Sequence, residues 1–219
     1  MDCFKIKLNL DIAGNTVPYG YEMALHGYVS SVIGNEMYDK RGSNYVYTNF
    51  IGIKPSGDSY KVNGEPYFLL RLSSGEQLNR FLKNFPSKPE IFEGVTIKSI
   101  SPCYDDEDNK VFSSTPASPI ILPKKYDSKD HLTREELNDC ENYLIANVRR
   151  TANQFGFTLD NNFSIKILRQ KKHSNYYYRG WMNKGRNLTI EINGNSETKN
   201  FILSHGIGRC TGIGCGFLR

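Results

Sequence analysis

The side chains in this sequence best suited to move protons near neutral pH are four histidines: His26, His131, His173 and His205. The unperturbed pKa of histidine, about 6.5, lets the ring act as a base and as an acid. His26 stands at or near the start of the first predicted helix, whose N-terminus would also attract a phosphate. The competing interpretation is that His26 packs beside Tyr21 or Tyr28. We select His26 as the first candidate for acid–base chemistry.

Residues 205–219 form a glycine-rich tail, in which glycines alternate with apolar residues. Glycine reaches positive φ freely and lets another backbone come close, and exposed amides in such a loop can bind a phosphate. Arg209 is placed at the loop tip, where its guanidinium would grip a phosphate. A Rossmann loop would follow the first strand and a Walker loop would contain Gly-Lys-Ser/Thr, so neither fits. A structural turn before an edge strand stays open.

A basic and aromatic stretch precedes the tail, and it contains no acidic residue between Asp160 and Glu191. Its members are Lys166, Arg169, Lys171, Lys172, Arg179, Lys184 and Arg186, with Tyr176, Tyr177, Tyr178 and Trp181 among them. Positive side chains neutralise phosphates and aromatic rings stack on unpaired bases. The alternative is that the tyrosines face the core of a β-hairpin.

Charge is distributed unevenly along the chain. Residues 161–219 carry 10 basic and 2 acidic side chains (+8), and residues 1–160 carry 18 and 21 (−3), which together make the net charge of +5. This asymmetry indicates a polyanionic partner for the C-terminal part. No run approaches the roughly 20 apolar residues of a membrane span, and the N-terminus does not resemble a signal peptide. Five cysteines without a CxxC pair are typical of reduced thiols in a cytoplasmic protein, and we predict no metal ligand and no cofactor.

The hydrophobic pattern predicts the elements that position these residues. In the first half it predicts strands at 4–10, 45–53, 67–72 and 91–100 and helices at 25–33 and 74–85. In the second half it predicts an extended segment at 111–122, helices at 133–155 and 198–203, and strands at 163–167, 188–192 and 211–218. Ser74 with Gln77, and Thr133 with Glu136, fit capping boxes.

Each half has the order β-α-β-β-α-β, which is the order of ferredoxin-like folds. The polar run Asp105–Asn109 separates the halves and is interpreted as a solvated linker. We therefore predict an α+β protein of two tandem ferredoxin-like (βαββαβ) domains, the first over residues 1–108 with the candidate catalytic residues and the second over residues 109–219 with the basic stretch and the tail.

Several segments resemble one known family. Gly206-Ile207-Gly208 and Gly214-Cys215-Gly216, five residues apart, are similar to the C-terminal glycine loop of the RAMP superfamily, whose domains are RRM-like. Val17-Pro18-Tyr19 before the first helix, Ser118-Pro119-Ile120, and residues 163–216 extend the likeness over most of the chain. Within the superfamily, the chain resembles the CRISPR-associated endoribonucleases that process precursor crRNA.

This resemblance implies cleavage inside the CRISPR repeat without a metal. The neighbouring 2′-OH attacks the phosphate and leaves a 2′,3′-cyclic phosphate and a 5′-OH. This reaction requires a base for the 2′-OH, an acid for the leaving 5′-oxygen, and positively charged side chains that stabilise the phosphorane. Several branches of the family place the catalytic histidine where His26 stands. Other branches place it in the loop after that helix, and the matching residues 37–42 contain no histidine.

The site residues that the resemblance and the patterns imply fall into two sets. The catalytic set is His26, Tyr38, Lys40 and Arg41, with Tyr19 and Tyr21 as alternatives. The RNA-binding set is Lys171, Lys172, Arg179, Lys184, Arg186, His205, Gly206, Gly208, Arg209, Gly214 and Gly216. His131 is interpreted as structural or exposed.

The expected partner is CRISPR repeat RNA or crRNA, with no membrane. Subunits of a CRISPR effector complex and a second copy of the chain stay open as further partners. A different class of function is also open, in which the protein is a non-catalytic crRNA-binding RAMP subunit, because a fold alone does not decide between binding and cleavage. A regulatory or assembly domain would not need the basic, aromatic stretch.

Overall fold

A computed structural model describes residues 3–34, 38–39, 42–105, 109–178 and 181–219 of the chain. The elements of the first domain are β1 (Phe4–Ile12), β2 (Thr16–Pro18), α1 (Tyr21–Ile33), β3 (Tyr38–Asp39), β4 (Gly42–Ser43), β5 (Tyr45–Tyr47), β6 (Ile51–Ser56), β7 (Ser59–Leu72), α2 (Gly75–Asn84), β8 (Glu90–Phe92) and β9 (Val95–Cys103). Those of the second domain are β10 (Val111–Ser113), α3 (Arg134–Phe155), β11 (Ser164–Tyr178), β12 (Trp181–Asn193) and α4 (Ser196–His205).

The first domain is built on an antiparallel sheet in the order β2-β7-β1-β9-β8, with β5 and β6 also paired to β7. Alternate residues of β1, including Ile6, Leu8 and Leu10, are buried. They share one core with the buried side of α1 and with Phe81 of α2. The period-2 hydrophobic pattern of β1 and the apolar stripe of α1 predict this two-layer packing of a sheet against helices.

The second domain has a sheet in the order β10-β12-β11, and α3 and α4 share its core. α3 begins with a complete capping box, because Thr133 accepts from the Glu136 amide and Glu136 accepts from the Thr133 amide. It ends at Gly156, which is left-handed at φ 66°. Together the two domains confirm the predicted α+β, ferredoxin-like architecture. The boundary after residue 108 stays a prediction, and residues 106–108 lie outside the described ones.

The capping box predicted for α2 is half correct. The Ser74 side chain accepts from the Gln77 amide, as expected. The Gln77 side chain instead accepts from the amide and hydroxyl of Ser73, one residue earlier.

The predicted strand over residues 45–53 is interrupted between β5 and β6. The Asn49 amide donates to Ala117 O of the second domain, and the Phe50 amide donates to the Tyr21 hydroxyl. These amides are therefore unavailable to a strand ladder. The predicted strand over residues 91–100 is likewise two strands, β8 and β9, joined by a turn at Gly94 with φ 78°.

The strand predicted over residues 211–218 does not form. Thr211–Ile213 is instead a 3-10 turn, with left-handed backbone at Cys210 and Gly214 on either side. Only Arg219 pairs with the open edge of β10, where its amide and carbonyl bond to the carbonyl and amide of Ser113 at 2.9 and 2.8 Å. The tail thus reaches the place of the fourth strand but enters it with one residue.

Asp105 was expected to be part of a solvated linker, and this was wrong. Its carboxylate binds the fully buried Arg71 guanidinium at 2.7 Å and the Lys5 ammonium at 2.6 Å. All five cysteines are free thiols. None of the helices in the described ranges has the length and apolar character that a membrane crossing needs.

Candidate active site and RNA-binding surface

Elements that carry or adjoin candidate site residues lie close together at one place in the molecule. The Cα atoms of the 3-10 turn Thr211–Ile213 come within 8 Å of those of α1, β4 and β5. α1 carries His26, β3 and β4 flank the loop with Lys40 and Arg41, and the turn belongs to the glycine-rich tail. Segments that are about 180 residues apart in the sequence therefore line the same region.

His26 is half-buried on α1, in the second turn of the helix. The helix begins at Tyr21 after Gly20, which is left-handed and offers no side-chain cap. His26 therefore lies about 7 Å along the axis from the first helical residue. The free amides of the first turn belong to residues before it, so a phosphate bound at His26 would not also sit on the helix N-terminus.

The remaining candidates of the catalytic set lie in or beside the loop after α1. The backbone of Tyr38 pairs with Ser43, which joins β3 to β4. Lys40 and Arg41 lie outside the described residues. Of the two alternatives, the Tyr19 hydroxyl donates to Gly57 O at 3.1 Å, and Tyr21 is buried with its hydroxyl on the Phe50 amide. Burial raises the pKa of Tyr21 well above its usual value, so this phenol is a poor base.

The glycine-rich tail is buried between the two domains rather than open to solvent. A Cβ at Gly216 would stand 2.1 Å from Ile207 O, and one at Gly208 would stand 3.0 Å from Ile121 O. A Cβ at Gly206 would meet Val46 of the first domain at 2.9 Å. All three glycines have positive φ. Close backbone approach, one of the two roles expected for these glycines, is thus present in the structure.

The other expected role is a cradle of free amides, and three of those amides already donate to carbonyls of the protein. Gly206 N donates to Ile202 O, Gly214 N to Thr211 O, and Gly216 N to Pro119 O. Within the tail, the exposed residues are Arg209 and the last residue, Arg219. The contacts of Gly206, Gly208, Gly214 and Gly216 with RNA stay predictions, and Arg209 is the tail side chain best placed to reach a phosphate.

His205 ends α4 and is 2% exposed. Its ring lies between Phe155 and Phe201, with centroids 4.7 and 4.1 Å away, and its Nδ1 is 2.9 Å from Phe201 O. Burial lowers the pKa of His205 to about 4, so the ring is neutral at pH 7. Contact between His205 and RNA stays a prediction, while its position makes it part of the core beneath the tail.

The basic stretch forms a hairpin arm made of β11 and β12. β10 pairs with residues 189–191 of β12, and Ile120 bridges to Arg186. Beyond Arg186, the described residues of β11 and β12 continue as a two-stranded ribbon. Lys166, Arg169 and Lys171 are exposed along β11. Lys172 lies on the same strand, and Arg179 lies outside the described residues. The arm therefore presents a line of positive charge to solvent.

Arg186, on the opposite strand, is 3% exposed and does not belong to that line. Its guanidinium donates to the carbonyls of Tyr126, Lys129 and Asp130, which fixes the segment before α3. Lys184 is half-buried and donates to Asp127 O at 3.2 Å. Both remain predicted RNA ligands, but their side chains already bind backbone carbonyls of the protein.

One family model matches the chain, over residues 88–219, and it describes the C-terminal part of the CRISPR-associated protein Cas6. The chain belongs to the Cas6 family. No curated protein sequence matches it at a significant level. The match covers the whole second domain, including the hairpin arm and the glycine-rich tail.

Solved structures agree with this assignment at the level of the fold. A Cas6-related protein from Pyrococcus furiosus superposes with a TM-score of 0.79 at 17% identity, covering 100% of this chain and 98% of the other. A protein described as an RAMP protein binding different RNA substrates superposes with a TM-score of 0.74 at 20% identity, covering 99% and 98%. A Cas6 protein in a product complex gives 0.53 at 12% identity, covering 100% and 99%. All three share the double ferredoxin-like fold of this Cas6-family chain.

Sequence reasoning missed two residues that hold the Cas6 tail in place. The Arg71 guanidinium donates to Leu218 O, stacks over the Phe217 ring at 4.5 Å, and is neutralised by Asp105. Gly185 lets Pro119 approach, because a Cβ there would stand 2.5 Å from it. An arginine inside an apolar strand (residues 68–72) was the available signal for Arg71, since a buried charge requires a partner.

Proposed function

We propose that this protein binds CRISPR repeat RNA and cleaves precursor crRNA through attack of the 2′-OH next to the cut. The products are a 2′,3′-cyclic phosphate and a 5′-OH. Membership of the Cas6 family carries the proposal. The proximity of α1, β4 and the tail turn supports it, because these elements carry or adjoin candidate site residues.

His26 is the proposed acid–base residue. It is half-buried, so its ring is partly shielded from water yet open to a substrate. Its imidazole would remove the 2′-OH proton or protonate the leaving 5′-oxygen. Tyr38 is proposed to orient the ring or the phosphate, and Lys40 or Arg41 to stabilise the phosphorane charge.

The proposed path of the RNA runs along the hairpin arm toward Arg209. Lys166, Arg169 and Lys171 would neutralise successive phosphates, and none of them forms an ion pair within the described residues. α1 has Cα atoms within 8 Å of β11, so an RNA on the arm passes close to the helix with His26. The protein works in the cytoplasm, with effector-complex subunits or a second copy as further partners in the proposal.

The decisive experiment incubates the purified protein with 5′-labelled repeat RNA in EDTA, beside an RNA with a 2′-deoxy substitution at the cut. The expected result is one cut that survives EDTA and disappears in the deoxy RNA. Cleavage that needs added Mg²⁺, or that persists in the deoxy RNA, contradicts the proposed mechanism.

The alternative function, a crRNA-binding RAMP subunit without catalysis, predicts a different outcome of the same experiment. The labelled repeat is then bound tightly and remains intact under every condition. Replacing His26 would change nothing in such a protein, because it has no cleavage to lose.

A further inference from the structure

A cavity of about 440 Å³ lies between the two domains, away from the tail turn. It is bounded by the start of α1, by residues 49–55 and Tyr60 of the first domain, and by residues 115–117, 174–175 and Arg219 of the second. This volume is in the range of pockets that bind small molecules or parts of larger ones. Among the candidate site residues that the structure describes, only Tyr21, an alternative member of the catalytic set, lines it.

One wall of the cavity is aromatic. The Tyr21 and Phe50 rings are stacked with centroids 4.4 Å apart, and Tyr60 stands edge-on to Tyr21 at 5.7 Å. Ile51 and Ile53 extend this apolar wall. A flat ring system with two faces is the kind of group that such a wall accommodates.

Buried polar atoms in the same cavity have no hydrogen-bond partner in the described part of the chain. These atoms are Glu22 Oε2, Asn49 Oδ1 and Thr115 Oγ1. Glu22 is 5% exposed and Asn49 is 6% exposed. Burial raises the pKa of Glu22, while the backbone amides of Glu22 and Gly20 oppose that rise. Buried acceptors without donors are costly, which indicates that a ligand supplies the donors.

The acceptors determine which ligand fits. A carboxylate and an amide oxygen accept hydrogen bonds, so the ligand must present N–H groups along one edge. Among the four RNA bases, guanine has two neighbouring donors on its Watson–Crick edge, N1–H and the 2-amino group. Adenine and cytosine alternate a donor with an acceptor there, and uracil places its single N–H between two acceptors.

We propose that this interdomain cavity binds one unpaired guanine of the RNA, with its Watson–Crick edge on Glu22 and its ring against the aromatic wall. The proposal rests on the RNA binding proposed above and adds a base-reading site to it. Arg219, exposed at the cavity, would bind a phosphate next to that guanine. The site would give the protein sequence preference at a position remote from the cut.

The test measures binding of labelled hexanucleotides by fluorescence anisotropy, using hexauridylate and versions with one central G, A or C. The wild type should bind the G hexamer about 10- to 100-fold more tightly than hexauridylate, the discrimination expected of one good bidentate contact. Glu22→Gln keeps the side-chain volume but replaces an acceptor by a donor. It should reduce the preference for G to less than about threefold and shift it toward A or C.

Two further variants make the result interpretable. Glu93→Gln makes the same chemical change in an exposed turn and should keep the wild-type preference. Ile53→Trp fills the cavity without altering Glu22 and should abolish the preference for every base. Thermal unfolding of each variant checks that it is folded. If Glu22→Gln does not fold, the base preference of Ile53→Trp tests the guanine site instead.

The outcomes separate this inference from the proposed function. A wild type that cuts repeat RNA in EDTA but binds all four hexamers equally overturns the guanine site alone. An unchanged preference for G in folded Glu22→Gln does the same. A wild type that prefers the G hexamer but cuts no repeat supports the guanine site and counts against the nuclease.

Discussion

The hairpin arm and the glycine-rich tail both have compositions typical of nucleic-acid binding, but the arm is largely exposed and the tail is largely buried. The arm leaves Lys166, Arg169 and Lys171 in solvent. The tail is buried from Gly212 to Leu218, and its glycines make room for neighbouring backbone. The exposed positive side chains of the arm can bind phosphates. The glycines of the tail instead allow close packing of the protein's own backbone. α1, which carries His26, has Cα atoms within 8 Å of both regions.

The largest effect is expected where the tail packs most tightly. Gly216→Ala combines a φ of 71° with a Cβ 2.1 Å from Ile207 O, so we expect a loss of more than about 4 kcal/mol or no folded protein. Gly57→Ala has a similar φ of 59° but open space, and should cost about 1–2 kcal/mol. Urea unfolding measures both, and equal losses would show that the tail is loosely packed.

The next largest effect is expected at His26 on α1, in the rate of RNA cleavage. His26→Ala should slow single-turnover cleavage of repeat RNA by about 100- to 10,000-fold, because acid–base catalysis is lost, while RNA affinity is kept. The exposed His131→Ala is the matched control and should cut at the wild-type rate. Near-normal cutting by the His26 variant would remove this residue from the catalytic set.

Two arginines on the arm are expected to have different roles: the buried Arg186 in stability and the exposed Arg169 in RNA binding. Arg186→Ala should lower the free energy of unfolding by about 3 kcal/mol, because three backbone carbonyls lose a charged donor. The exposed Arg169→Ala should change stability by less than about 0.5 kcal/mol and weaken RNA binding instead. If the two variants lose RNA affinity alike and stability alike, the distinction between them fails.

His205 gives the tail region a pH-dependent stability. Its folded pKa of about 4 lies below the unfolded value of about 6.5, so the unfolded chain binds more protons between these values. The resulting stability is complete above pH 6.5 and is lost as the pH falls toward 4, by up to about 3 kcal/mol. His205→Asn removes the titrating group and keeps an N–H donor.

The measurement compares unfolding free energies of wild type and His205→Asn at pH 7 and pH 4.5. The stability difference between the two proteins should shrink at the lower pH. A constant difference for His205→Asn would mean that the folded protein binds a proton on His205 as readily as the unfolded chain does.

The smallest effect concerns the exposed side of the arm. Replacing Lys166, Arg169 and Lys171 by alanine should weaken RNA binding about tenfold and reduce the slope of log affinity against log salt by up to about 2. Removing the exposed Lys61, Lys83 and Lys88 of the first domain removes the same charge and should leave the slope unchanged. Identical slopes in both triple variants would exclude the arm as the phosphate-binding surface.

Much of the fold was predictable from local pattern. The alternation in β1, the Thr133–Glu136 box and the Gly156 stop all depend on residues within one or two turns of each other, so the sequence carries them directly. For the site, the sequence indicated that the tail, the first helix and the basic stretch serve one function, through the family they resemble.

What the sequence by itself determined is therefore the order of elements, their caps and the family. Only the tertiary structure decided which charges are buried and which are free, because those outcomes depend on partners far along the chain. Arg71 is fixed by Leu218, 147 residues away, and the strand at residues 48–50 is broken by Ala117 and Tyr21. Residues 211–218 fail to form a strand for the same reason: Gly216 N donates to Pro119 O and Phe217 N donates to the Ser118 hydroxyl, partners that no pattern within the tail specifies.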